Sequence, residues 1–524
     1  MKINKRLLPI KAHYFFFMAA MGPILPQMAV FGKQLGISPD IMGFVTSVLP
    51  ILYILAKPAV GFLADYFSRY RKMIFVLIIV IMTICFAGFE IVPPPKQHLV
   101  SSQAVYNFTL DSGTQDLNQC KSEFSSHDAL CRTSRHVHCF STDGSVQSLI
   151  LYVTDTSNNT PSLCWEKDQQ INLPRNVSFL SCSIDHSLEP DCLYNSLTFW
   201  SFVLLMCFGT IGFNVTNCIS DAICFDMLGE SQEMKYGAQR VWGTIGFGAS
   251  ALIAGFLTDI MTTDVVKSIT PAIIVMIIAS GLDLFSVAKL KLPKLSSADS
   301  ILREVWTLLR QPRIAIFLLF ATIAGIIDSF IIYFMFWHLE EVAAETGYMG
   351  SIKLIEGCVV AAECLGGEII FFLISGRILN RLGYVHCLSL CFFTYSVRLG
   401  LISIIPNPWW LVAVELLMQG CTYALCYTCI VAYASAIAPP GTSATIQGIV
   451  AGMDDGLGFS IGSLIGGQLY RYFGGARSFQ MFSAAAFATF IAHIFLRPAS
   501  KHETHISRIG YQSPTEQIHM TSKT

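Results

Sequence analysis

Gly61-Phe62-Leu63-Ala64-Asp65-Tyr66-Phe67-Ser68-Arg69-Tyr70-Arg71-Lys72 and, 315 residues further on, Gly376-Arg377-Ile378-Leu379-Asn380-Arg381-Leu382-Gly383 are two copies of one pattern. Each has a glycine, an acidic or amide residue four positions later, and then basic residues. Each closes a long apolar stretch, so its polar cluster falls where a helix would leave hydrocarbon for water. A glycine there permits close helix approach, and the polar groups cap helix ends and pair charges. A pattern that returns at the same place in two blocks of chain signals internal duplication.

Outward from these copies lie apolar stretches of roughly 18 to 28 residues, near the ~20 that a helix needs to cross a ~30 Å hydrocarbon core. They fall at 8–31, 42–64, 73–92, 197–219, 241–261, 271–290, 314–337, 352–375, 387–405, 409–437, 446–469 and 479–496, and are called spans 1 to 12. The two copies close spans 2 and 8. Spans 1–6 cover 283 residues, or 179 without the 104-residue insertion after span 3, against 183 for spans 7–12. The expected fold is therefore an all-α integral membrane protein of twelve transmembrane helices in two six-helix halves. The basic start at Lys2–Arg6, followed by Phe15-Phe16-Phe17, opens span 1 and is not a signal peptide, being too long and followed by eleven more spans.

Composition agrees. Apolar residues make up 53% and charged residues 13%, about half the soluble norm of roughly 25%. The mean hydropathy is +0.55. Lipid is the solvent such a surface requires. The net charge of −1, with no basic run or aromatic-basic interleaving, argues against nucleic acid. No nucleophile motif, metal-ligand spacing or phosphate loop stands out, so neither an enzyme nor a cofactor is expected.

Lys and Arg in short loops set the orientation. Lys2, Lys5, Arg6, Arg69, Arg71, Lys72, Lys235, Lys289, Lys291, Lys294, Arg303, Arg310, Arg377, Arg381, Arg497, Lys501 and Arg508 fall on one side, against Lys33, Arg471 and Arg477. Both termini are expected in the cytoplasm. The organisation is then 1–92 (spans 1–3), an outer insertion 93–196, 197–290 (spans 4–6), a cytoplasmic linker 291–313, 314–496 (spans 7–12) and a cytoplasmic tail 497–524. The insertion carries sequons at Asn107, Asn158 and Asn176, the second weakened by Pro161. It also carries Cys120, Cys131, Cys139, Cys164, Cys182 and Cys192, an even set that reads as a lumenal disulfide framework with 15 possible pairings. Passage through the secretory pathway follows, leaving plasma membrane and endolysosomal membrane both open.

An ionisable group inside a membrane helix costs about 2.5 to 3.5 kcal/mol on insertion scales, so each calls for a reason. The candidates are Asp221, Asp226, Arg240, Asp283, Asp328, Glu356, Glu363, Glu368, Arg398, Glu415, Asp454 and Asp455. Arg398 lies about seven residues from the outer end of span 9 and Glu415 about six from that of span 10. At ~1.5 Å per residue their depths match, and a pair across the two helices is expected. On a regular helix Glu356 and Glu363 share a face, while Glu368 lies about 140° from Glu363, so the three do not enter one cavity. A desolvated carboxylate beside an Arg alternates between protonated and paired states, which is what proton coupling requires. Glu368, Arg398, Glu415, Glu363 and Asp328 are the proton candidates, with fixed salt bridges as the alternative. Asp454 and Asp455 are candidates for the solute face. Glycines at 448, 452, 456, 458, 462 and 466 and at 243, 246, 248 and 255 suit either static packing or helix sliding.

The paired loop pattern resembles the G-x-x-x-D-R-x-G-R-R motif of the major facilitator superfamily, with Tyr66 and Ser68 at two of its positions. Gly61, Asp65, Arg69, Gly376, Asn380 and Arg381 would then form the gating loops. Tyr236-Gly237-Ala238-Gln239-Arg240-Val241-Trp242-Gly243-Thr244-Ile245-Gly246-Phe247 resembles a signature of the sugar:proton and nucleoside:proton symporter branch. With Trp337-His338-Leu339-Glu340, Gln419-Gly420, Gln447-Gly448 and the long insertion, the chain looks like the animal group called major facilitator superfamily domain-containing protein six. That resemblance implies Glu368, Arg398 and Glu415 for the proton and Asp221 and Arg240 for the solute. Where the sugar branch has a His before the span-10 Glu, this chain has Val412. Proton-coupled symport of a small polar organic solute is the expected function, and a monomer in the bilayer the expected state. The alternatives are an uncoupled facilitator and a receptor on a transporter scaffold.

Overall fold

The structure, a computed structural model, describes residues 7–66, 70–93, 106–108, 118–119, 134–141, 146–155, 161–165, 180–184, 193–228, 233–262, 267–290, 312–437 and 449–496. In hydrocarbon every backbone N–H and C=O must find a partner within its own segment, so the apolar stretches become helices. Span 1 is Leu8–Met21, a 3-10 turn at Leu25–Gln27, and a second helix, Met28–Gln34. Pro23 and Pro26 cannot donate to a regular ladder, which places the interruption there. Spans 2 to 7 are Pro39–Tyr66, Arg71–Ala87, Leu197–Leu228, Glu233–Met261, Thr270–Val287 and Pro312–Thr346. Proline at the first helical turn starts three of these without losing a bond.

The second half is less regular. Span 8 is Ile352–Ala361, a π-helical stretch Ala362–Glu368, and the start of Ile369–Ser403. That last run breaks at Gly383, where φ is 76°, and continues as span 9. Span 10 is Trp409–Met418, a π-helical stretch Gly420–Ala424, and Leu425–Ile437. A third π-helical stretch, Gly452–Gly458, lies in span 11, and Phe459–Leu496 breaks at Gly474 with φ 75°. Only glycine takes such angles without strain. Among the described residues nine helices are long and apolar enough to cross a membrane, and two of them, Met349–Ser403 and Ile449–Leu496, contain these breaks.

Close packing joins the halves at two crossings. A Cβ at Gly255 of span 5 would fall on the Lys353 carbonyl oxygen of span 8, and one at Gly43 of span 2 on the Ser463 carbonyl oxygen of span 11. Gly458 and Gly462 meet span 7 in the same way. Gly376 behaves otherwise: a Cβ there meets nothing within 4 Å, so this glycine of the repeated pattern does not serve close approach. Gly448 lies outside the described residues.

A second compact unit comprises Phe31–Ser38 and Ile91–Leu204. Within it is a six-stranded sheet of β1 (Tyr106–Phe108), β2 (Asn118–Gln119), β3 (Ser134–Ser141), β4 (Val146–Asp155), β5 (Pro161–Trp165) and β6 (Leu180–Ile184). The order is β1-β6-β3-β4-β5-β2, antiparallel except where β2 meets β5. The all-helical expectation thus holds for the membrane part, and the insertion adds a sheet. Its strand signal is the apolar, β-branched run of β4, Val146-Gln147-Ser148-Leu149-Ile150-Leu151-Tyr152-Val153-Thr154. Cys139 and Cys182 are partners in the β3–β6 register, Cys164 lies in β5 and Asn107 in β1. Cys120, Cys131, Cys192, Asn158 and Asn176 lie outside the described residues, as do the tail and most of the linker.

Candidate functional site

The first half contributes a polar group from spans 1, 4 and 5. Arg240 Nη1 donates to Asp221 Oδ1 at 2.6 Å and to Asn217 Oδ1 at 2.9 Å. The Tyr14 hydroxyl donates to the same Asp221 oxygen at 2.8 Å, and its ring lies 5.8 Å from the guanidinium. The two charged side chains are 32% and 28% exposed, so this pair borders open space.

The second half contributes a tighter cluster. Arg398 Nε donates to Glu415 Oε1 at 3.1 Å, Nη2 donates to Glu415 Oε2, and Nη1 donates to the Thr422 hydroxyl at 2.9 Å. Glu363 Oε1 lies 3.6 Å from Nη2, so both glutamates approach the same guanidinium nitrogen. Arg398 is 2% exposed and Glu415 is fully buried, so the fork of a planar guanidinium is matched by a planar carboxylate away from water. Gln419 Nε2 donates to Glu368 Oε1 at 3.1 Å. Behind the cluster the Tyr395 hydroxyl contacts both oxygens of Asp328, at 2.7 and 2.8 Å. Asp454 is buried nearby with its Oδ1 unpartnered, and Asp455 is partly exposed.

All three π-helical stretches fall on these groups: Glu363 and Glu368 in the first, Thr422 and Tyr423 in the second, Asp454 and Asp455 in the third. A π-turn bonds i to i+5, so residues five apart come round to the same side. The three acids of span 8 do not share one cavity, as expected, but the one that departs is Glu356 rather than Glu368. Glu363 approaches Arg398 and Glu368 accepts from Gln419, one turn past Glu415, whereas Glu356 reaches span 1.

The halves face each other. A Cβ at Gly248, eight residues after Arg240 in span 5, would fall on the Cys364 side chain, next to Glu363 in span 8. Tyr423 and Tyr427 stack with centroids 6.0 Å apart, and Tyr427 is 40% exposed.

At the end of the bundle distal to Leu8, where span 1 finishes and span 2 begins, hydrogen bonds tie the halves. Lys353 Nζ, 8% exposed, lies 2.9 Å from Glu356, 3.3 Å from Glu340 and 2.9 Å from Gln27 Oε1. Gln27 Nε2 donates to Glu356 at 2.7 Å. The Leu354 N–H donates to Asp259 at 2.6 Å, Lys267 donates to the Gly350 carbonyl at 2.9 Å, and the Trp337 indole donates to the Ala29 carbonyl at 2.7 Å. Arg471 pairs with Asp40. Of the gating-loop candidates, Gly376, Asn380 and Arg381 are exposed, Gly61 and Asp65 lie on the span 2 helix, and Arg69 is outside the described residues.

Sequence reasoning did not single out Tyr14, Asn217, Gln27, Lys353, Tyr395 or Thr422. Lys353 had a signal, since a lysine one turn before Glu356 at the mouth of an apolar span invites pairing.

Two helical halves enclosing a shared polar centre define a membrane protein of the two-domain carrier fold. The chain belongs to the MFS_1 like family, whose model matches residues 7–481. It is 26% identical to the maltose permease of Geobacillus stearothermophilus over 261 residues, 48% of this chain and 60% of that protein. It is 22% identical over 284 residues to the major facilitator superfamily domain-containing protein 6-like protein B of Xenopus laevis, covering 53% of this chain and 44% of that one. The crystal structure of the nucleoside transporter NupG superposes with a TM-score of 0.62 at 14% identity, covering 95% of this chain and 100% of that one.

Proposed function

We propose that the protein is a secondary active transporter that carries a small polar organic solute together with protons by alternating access. The observation that carries this reading is a partly exposed Asp221–Arg240 pair in one half and a buried Arg398–Glu415–Glu363 cluster in the other, with the halves tied at the distal end by Lys353 and Gln27. Asp221, Arg240, Asn217, Glu368 and Gln419 offer donors and acceptors of both signs, and the stacked tyrosines offer a flat apolar wall. That combination suits a sugar ring or a nucleoside, and the maltose permease and the nucleoside transporter among the relatives favour the same class. Asp454 and Asp455 extend the acidic side of the wall.

The proton step follows from Arg398. Glu363 and Glu415 both lie against Arg398 Nη2, so a proton on one carboxyl leaves the guanidinium to the other. Protonating Glu415 weakens its fork with Arg398 and frees the guanidinium for Glu363, a rearrangement local to spans 8, 9 and 10. Glu368 joins it through Gln419 and Asp328 through Tyr395. In this reading both termini are cytoplasmic, the distal end faces the outside or the lumen, and the insertion is glycosylated and disulfide-bonded. The membrane is the plasma membrane or an endolysosomal one.

The test uses purified protein in liposomes loaded with a pH dye and challenged with panels of sugars, nucleosides, amino acids and organic acids. Solute-dependent proton entry, lost in Arg398→Ala and Glu415→Gln, supports symport. Solute entry without protons would make the protein a facilitator with a structural Arg398 cluster. No flux in a folded preparation would favour a receptor that binds through the insertion.

A further inference from the structure

Deep in the first half, away from the facing groups, His13 of span 1 lies between Asp283 of span 6 and Ser220 of span 4. Its Nδ1 is 2.6 Å from Asp283 Oδ1 and its Nε2 is 2.6 Å from Ser220 Oγ. His13 and Asp283 are 0% and 1% exposed, and the imidazole stacks on Phe17 and meets the edge of Phe75. The second Asp283 oxygen is buried with no partner.

Counting hydrogens on this chain of contacts leaves two arrangements. Ser220 Oγ also lies 2.6 Å from the Thr216 carbonyl, which only accepts. If the hydroxyl donates to Thr216, Nε2 must carry a hydrogen and donate to Ser220. A proton is then also required between Nδ1 and Asp283 Oδ1, since two bare lone pairs would repel at that distance. The His13–Asp283 pair is then neutral overall. If that proton leaves, the remaining imidazole hydrogen sits on Nδ1 and faces a carboxylate. Nε2 becomes an acceptor, and the Ser220 hydroxyl turns from Thr216 to His13. The pair then carries one negative charge.

We propose that His13 and Asp283 form a second proton-binding site, in the first half, whose occupancy is reported by rotation of the Ser220 hydroxyl. The neighbours of these residues in sequence touch the facing groups. Ser220 precedes Asp221, and His13 precedes Tyr14, whose hydroxyl contacts both the Ser220 carbonyl, at 3.2 Å, and Asp221. A unit of charge appearing at Asp283 therefore acts on the Asp221–Arg240 pair through one side chain and one turn of span 4. Among the described residues Tyr14, Asp221, Arg240 and Cys224 are the titratable groups joined to this site through Tyr14, and Cys85 of span 3 and Cys207 and Cys218 of span 4 lie on the same helices. Lys72 of span 3 is bonded to the Ala288 carbonyl, and Lys11 lies over the Trp242 ring.

The site is testable without a solute, and it stands whether or not the transport reading does. Full-length protein with 15N-labelled histidine is placed in lipid nanodiscs and followed by NMR over about pH 5 to 8, the range in which histidine ordinarily changes charge. The signal absent from His13→Gln should pass from Nε2–H bearing to Nδ1–H bearing as the pH rises. In Ser220→Ala, which removes the alternative donor without touching a charge, the change should move to a different pH. A His13 signal held in one tautomer across the range, in both proteins, would overturn the proposal and leave the pair a fixed structural contact. If His13→Gln does not fold, Asp283→Asn assigns the signal by its shift. Where the liposome assay shows flux, its pH profile should move in Ser220→Ala; an absence of flux in the parent protein bears on transport alone.

Discussion

Lys353→Met should open the distal end. The ammonium touches Gln27, Glu340 and Glu356, and the two carboxylates are 9% and 0% exposed. Methionine keeps the length of the side chain and removes the charge, leaving two acidic groups facing each other with no cation between them. Breaking a buried ion pair by deleting one partner costs about 3 to 5 kcal/mol. The cost falls on the closed arrangement, because opening gives the carboxylates water. At about 1.4 kcal/mol per tenfold, the open population rises roughly a hundred- to several-thousand-fold. The reporter is the Leu354 amide, in the first turn of its helix, where no intrahelical partner exists and the bond to Asp259 closes the gap. Hydrogen exchange with mass-spectrometric readout over residues 349–358 should speed up in the variant. Adding Glu340→Gln and Glu356→Gln to Lys353→Met removes all three charges, and a neutral, hydrogen-bonded set should restore much of the protection. Unchanged exchange in Lys353→Met, or equal exchange in the single and triple variants, would refute the argument.

Other outcomes follow from the same geometry. Arg398→Lys keeps a charge but loses the fork to Glu415 and the bond to Thr422, so its thermal unfolding midpoint in detergent should drop, as should solute-driven proton entry. Gly383→Ala forces a side chain into a left-handed backbone at a cost of about 1 to 3 kcal/mol, whereas Gly376→Ala, seven residues earlier in open space, should leave the midpoint unchanged. Gly255→Leu drives carbon into the Lys353 carbonyl and should speed Leu354 exchange with no change of charge. Endoglycosidase treatment of protein from animal cells should raise its gel mobility, and the shift should vanish when Asn107, Asn158 and Asn176 are all changed to Gln.

Hydropathy alone carried the membrane part, because a helix in lipid has one local requirement, length without charge. The matched depths of Arg398 and Glu415 were legible for the same reason: equal distance from a helix end needs no knowledge of the fold, and the structure brings the two side chains together. Gln27 and Glu356 were not legible as partners, being 329 residues apart with no shared pattern. His13, close to the basic start of the chain, carried no sequence signal that sets it apart, yet it is fully buried. The position of Glu368 was misjudged because nothing in Ala362-Glu363-Cys364-Leu365-Gly366-Gly367-Glu368 announces a wider turn, except the glycine pair that tolerates one. The sheet was missed because the insertion was read for cysteines and sequons rather than for alternation.

The three wide turns also bear on how the chain came to be. A π-turn holds one residue more than an α-turn, so it is where a helix can absorb a single inserted residue without shifting its register. Among the described residues all three lie in the second half. If the halves descend from one ancestral gene, an ungapped alignment of the first upon the second falls out of step by one residue at each bulge. Counterpart positions in spans 2, 4 and 5 then emerge only when a gap is opened beside Glu363, Thr422 and Asp454. The asymmetry between two copies of one gene would thus be concentrated in three codons, each beside an acid or hydroxyl that the other copy never acquired a bulge to aim.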